Sequence, residues 1–205
     1  MCIRDREIAR LLVKHRAFSA TSAQSLVRVL ALELINAVHD SQQLEKAWSQ
    51  LDAAERLIPD VAIAAAHRLL ALGGGVAKAQ QWLLPIWDLM VRAGPGISQE
   101  QRIKLALVLE KGFALETGKP DAAWLSRIET AQMGNPRDAV MQYLAGVTCM
   151  HLSLWGKAQQ LLKQSLLQLQ DVSLKRQAWA ALAVLAEQRE DTAAAFEAWR
   201  NAAKT

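Results

Sequence analysis

Most of the sequence features that mark a catalyst, a metal protein or a membrane span are missing from this chain. There are two cysteines in 205 residues, Cys2 and Cys149, and they make neither a CxxC pair nor a disulfide framework. The four histidines, His15, His39, His67 and His151, contain no HExxH pair, and no two fall within one helical turn. Cys149 and His151 are two positions apart, which on a helix points them about 200° from each other, so they cannot share a metal. There is no GxGxxG; Gly73-Gly74-Gly75 follows a helical pattern with no strand before it. No Ser–His–Asp arrangement stands out, and the paired acids Glu190-Asp191 fall at a helix junction, where capping accounts for them. Nor is there a run of 18 apolar residues, the length a transmembrane helix needs. Basic residues exceed acidic ones by only four and never cluster, which gives nucleic acid no patch to bind. Catalytic, cofactor and metal residues are therefore expected to be none.

Glycine (10) and proline (5) are also scarce, and their scarcity leaves long uninterrupted stretches of Ala, Leu, Gln, Glu and Lys. With 52% apolar residues the chain can bury a core, and residues of this kind favour helix throughout. The punctuation is Pro59, Gly73–Gly75, Gly94-Pro95-Gly96, Gly118-Lys119-Pro120 and Asn135-Pro136. Thr21, Ser41, Asp60, Ser98, Asp121, Ser173 and Asp191 stand where helix N-caps are wanted, and Ser98 with Gln101 has capping-box spacing. The pattern predicts helices over 7–17, 21–39, 41–57, 60–72, 76–93, 98–116, 121–133, 137–152, 155–170, 173–189 and 191–203. Pro85 lies inside the fifth and is expected to kink it or to start a new turn.

Met1–Arg6 reads as the translated end of a sequencing-library adapter fused to a coding region that begins mid-gene. On that reading residues 1–6 carry no fold information. The net charge falls by one from +4, and Cys149 becomes the remaining thiol. The stretch 7–205 is then expected to be a soluble piece of a longer protein whose natural N-terminus lies upstream.

Small and large apolar residues recur at fixed offsets. Trp179, Leu182, Ala183, Ala195, Trp199 and Ala202 form one set, and Ala145, Gly146, Cys149, Ala158, Leu162 and Ser165 another. Leu34, Ala47, Leu51, Ala54 and Pro59 fit the same frame. So do Ala66, Leu70, Ala79 and Leu83, with His67 in a slot that wants a small residue. The poorest match holds Gly112, Ile128, Ala131 and Pro136, with Trp124 on a small slot. The five sets start at Arg28, Asp60, Leu105, Ala139 and Arg176. Their spacing is irregular, with an insertion near 92–100. The offsets resemble the tetratricopeptide unit, about 34 residues of helix–turn–helix, in which small side chains let two helices cross closely. An all-α, right-handed superhelix of about five helical hairpins is expected. Trp179 and Trp199 fall on core slots; Trp48, Trp82, Trp87, Trp124 and Trp155 fall beside them and are read as filling gaps between hairpins.

Several phrases go beyond the repeat consensus: Ala47-Trp48, Leu57-Ile58-Pro59-Asp60, Trp82-Leu83-Leu84-Pro85-Ile86-Trp87 and Leu154-Trp155-Gly156-Lys157-Ala158. Ala178-Trp179-Ala180-Ala181-Leu182-Ala183 and Ala198-Trp199-Arg200 close the series. In these the chain resembles HemY, a family of haem-biosynthesis-associated tetratricopeptide proteins of proteobacteria, over residues 7–204. The consensus alone explains about half of the shared wording. The resemblance implies a non-catalytic scaffold at the bacterial inner membrane, held there by an N-terminal anchor not in this sequence. Late haem-pathway enzymes such as ferrochelatase would be its protein partners. A generic tetratricopeptide peptide-binding module unrelated to haem fits the same residues, and direct porphyrin transfer through an apolar groove is a third reading. There is no CxxCH for covalent haem, and scattered histidines such as His39, His67 and His151 give little support to an axial ligand.

In stacks of this kind the first helix of each pair lines the concave side. The groove positions here include Asn36, His39, Arg68, Phe113, Tyr143, Val147, Met150 and Val184. They make a mostly apolar partner-binding surface with a few polar groups, suited to an amphipathic helix or an extended segment.

Overall fold

Helix after helix in this chain begins at an aspartate. The carboxylates of Asp40, Asp52, Asp121, Asp138, Asp171 and Asp191 each accept a hydrogen bond from a backbone N–H of the following turn. Each satisfies a donor that the helix itself leaves orphaned. The computed structural model describes residues 20–92, 96–115 and 121–205. Among them the chain is all-α, with eleven helices and no strand. They are α1 (Ala20–Asn36), α2 (Ser41–Ser49), α3 (Ala53–Arg56), α4 (Pro59–Ala71), α5 (Val76–Val91) and α6 (Gln99–Leu115). Then come α7 (Ala122–Gly134), α8 (Ala139–His151), α9 (Trp155–Gln168), α10 (Val172–Glu187) and α11 (Thr192–Lys204).

Several expected boundaries move, each for a local reason. Asp40 and Asp171 replace Ser41 and Ser173 as caps, because a carboxylate one or two residues earlier takes the N–H groups first. Asp60 is not a cap either; Ile58 holds that position and Pro59 opens α4. The single helix expected over 41–57 is two. Asp52 and Glu55 form a capping box, each carboxylate accepting from the other's backbone N–H, which restarts the chain as α3. The expected box at Ser98 and Gln101 is present, at 3.2 and 3.0 Å. No new helix starts at Pro85, and α5 runs through it. The predicted helix 7–17 lies outside the described residues, as does part of the insertion near 92–100.

One turn is used three times. At the ends of α4, α8 and α10 a residue takes left-handed backbone: Gly73 (φ 71), Ser153 (φ 59) and Glu190 (φ 60). The next N–H then bonds back five residues, from Gly74 to the Leu69 carbonyl at 2.8 Å, Leu154 to Cys149 at 2.9 Å and Asp191 to Ala186 at 3.0 Å. This satisfies carbonyls that the helix end exposes. Only glycine adopts that backbone without a steric cost of about 1–2 kcal/mol. Glu190→Gly and Ser153→Gly are therefore each expected to raise stability by up to about 1 kcal/mol once the extra freedom of unfolded glycine is offset, read as a higher urea midpoint. A lower midpoint in both would show that these turns carry no strain.

Contacts divide the chain into two compact units, Met1–Gln101 and Arg102–Thr205. In the first, α1 packs on α2 and α4, and α4 pairs with α5. Arg28 meets Asp60 at 2.7 Å, and Arg68 reaches the Val38 carbonyl at 2.8 Å, so α1 and α4 run side by side in the same direction. Glu45 meets Lys78 at 2.7 Å, and Trp48 stacks on Trp82 with ring centres 4.5 Å apart, so α2 and α5 do the same. Ala65, Ala66 and Leu69 are fully buried while His67 is exposed. The small residue of this hairpin is thus Ala66, one position before the slot expected from sequence.

In the second unit α8 pairs with α9 and α10 with α11, while α8 also packs on α7 and α10. Three ties join α6 to α8 in the same direction: Arg102 with Asp138, Glu110 with Tyr143, and Phe113 with His151. Gly146 permits the close approach of α8 to α9. A methyl group added there would lie 2.8 Å from Leu162 Cγ and 3.2 Å from its backbone nitrogen. The nearest atoms belong to Leu162, one turn beyond the Ala158 expected from sequence.

Candidate functional site

The eight groove residues named from sequence separate into two sets by unit. In the first unit Asn36 ends α1 and is exposed, and His39 is exposed in the turn that follows. Arg68 on α4 is brought to this turn by its bond to the Val38 carbonyl. Its Nε is buried without a hydrogen-bond partner. That geometry makes Arg68 a clamp on the carbonyl end of α1, where a cation is favoured, before it is a contact for anything external.

In the second unit the expectation needs correction. Phe113, Tyr143 and Val147 are buried, and side-chain ties from α6 reach α8 here, Glu110 to Tyr143 and Phe113 to His151. They are core residues of the helix junction, not groove lining. Met150 and Val184 remain half-exposed on α8 and α10, which pack together, with His151 and Glu187 exposed beside them in the sequence. Partial desolvation lowers the His151 imidazole below its ordinary value, which favours its neutral form.

The junction also holds a group that sequence reading passed over. Tyr143, fully buried, donates its phenol to Glu110 Oε2 at 2.5 Å. Burial raises the Glu110 carboxyl above its ordinary 4.5, against the opposing pull of the Tyr143 hydrogen bond. Burial, followed by the charge of Glu110, holds the phenol far above its ordinary value. The sign of the resulting pH dependence follows from proton binding. Between the unfolded and folded carboxyl values the native state holds more proton, so stability falls as pH rises from 4.5 through the raised value. Glu110→Gln keeps an acceptor for the phenol and removes the charge, so its urea midpoint should lose this decline. Tyr143→Phe leaves the carboxylate without its donor and should cost about 1–3 kcal/mol. If chain and Glu110→Gln variant show parallel profiles of midpoint against pH, the carboxyl is not perturbed.

Little else here points to chemistry. Cys149 is buried, and burial pushes its thiol up despite the opposing charge of Lys157, which leaves it a poor nucleophile. Lys157 is tied to Glu129 at 2.8 Å, an exposed pair worth little to stability. Among the described residues no group of three or more His, Cys, Asp or Glu side chains could hold a metal ion. Among the same residues no helix is long and apolar enough to cross a membrane.

The tryptophans divide differently from expectation. Trp48, Trp82, Trp87 and Trp124 are buried, while Trp155 and Trp179 are half-buried. Trp199, expected in the core, is 43% exposed and donates its indole N–H to Glu187 at 2.7 Å; Phe196 on the same helix is 71% exposed. Ala198 and Ala202 take the buried face of α11 instead, as their 5% and 6% exposures show. Comparison of the chain with protein-family models, with curated proteins and with solved structures finds no match.

Proposed function

We propose that each unit is a stack of tetratricopeptide-like hairpins and that the chain is a non-catalytic, protein-binding scaffold. The observation that carries this reading is the separation at which helices are tied together. Arg28–Asp60 spans 32 positions, Tyr143–Glu110 33 and Arg102–Asp138 36. Successive first helices thus lie in parallel about one 34-residue repeat apart, which is how helix–turn–helix units stack into a solenoid. Within a unit, stacking of this kind gives right-handed superhelical curvature with the first helices on one wall. In the second unit that wall offers Met150 and Val184 with polar groups around them, a surface suited to an amphipathic helix.

The haem-pathway placement is supported by the resemblance to HemY in the phrases around Trp82–Trp87 and Leu154–Ala158. On it, the partners are late haem-biosynthesis enzymes and the protein acts at the bacterial inner membrane. The test is a calorimetric titration of the purified chain with purified ferrochelatase. A dissociation constant on the order of micromolar is expected, weakened about tenfold or more by Met150→Glu or Val184→Asp. Absence of heat at a hundredfold higher concentration would remove the haem placement. Undiminished binding by both variants, with helical circular dichroism intact, would remove the assigned surface.

A further inference from the structure

We draw no further inference here: the strongest candidate, the exposed apolar patch of Phe196 and Trp199 on α11, is an unpartnered helix face, and nothing in the structure shows what covers it.

Discussion

Trp82→Ala is expected to be the most damaging single substitution in the first unit, lowering stability by about 3–5 kcal/mol. The indole is buried, 8% exposed, and its ring lies on that of Trp48 at 4.5 Å with the planes 20° apart. Three terms add. The first is the transfer of a large apolar surface to water. The second is the cavity left between α2 and α5, which the surrounding helices can close only in part. The third is the loss of a stacked aromatic pair, worth about 0.5–1.5 kcal/mol beyond its area. Trp48→Ala removes the same pair from the other side, so the double variant should lose less than the sum of the single losses. Urea unfolding of the four proteins, followed by circular dichroism, measures the coupling. Strict additivity would mean that the two rings merely lie near each other.

In the second unit Gly146→Val should have a comparable effect, about 2–3 kcal/mol of lost stability. Two effects oppose each other at this position. Glycine inside a helix is unfavourable by about 1 kcal/mol relative to alanine, so propensity alone predicts a gain from adding a side chain. Packing predicts a loss, because the new Cβ would lie 2.8 Å from Leu162 Cγ and 3.2 Å from its backbone nitrogen. Leu162 is fully buried and cannot swing away, and its backbone cannot move without displacing α9. Overpacking costs of about 1–3 kcal/mol outweigh the propensity gain when the added group is large. Gly146→Ala, with one methyl, should sit close to the balance point, losing about 1 kcal/mol or less. Chemical denaturation of the series Gly, Ala, Val orders them. A Val variant as stable as the parent would show that α8 and α9 are not pressed together here.

How far the sequence carries can be read from these same positions. The helical character and nearly all helix locations follow from where Gly, Pro and the aspartates stand, since these act on the backbone within a few residues. The break at Gln50–Asp52 was also written locally, in the Asp52–Glu55 spacing, although the uninterrupted Ala/Leu/Glu composition masks it. The register of the small residues was harder. Shifting Ala66 and His67 by one position changes which of them is buried, and two adjacent positions on a helix differ by about 100°. Composition does not resolve that angle. The groove residues were harder again, because whether Tyr143 or Val147 is exposed depends on where α6 lies, and no local rule places it. Tyr143 did carry a sign, being a lone tyrosine in an apolar helix that needs an acceptor for its phenol. The acceptor, Glu110, lies 33 positions away among Val108, Leu109, Gly112 and Phe113, all buried. An acid amid an otherwise apolar helix face was the signal available. Trp199 illustrates the converse: a template slot is buried only when something packs over it, and a large side chain can instead be held at the surface by one hydrogen bond.

The ties between neighbouring helices reach about 30–38 positions along the chain. Closing loops of that size is entropically cheap compared with joining distant ends, and it needs no strand pairing. Each unit should therefore assemble quickly from any hairpin that forms first. An injury such as a misplaced side chain at Gly146 should also spread no further than the adjoining helices, leaving remoter ones to fray or hold on their own account.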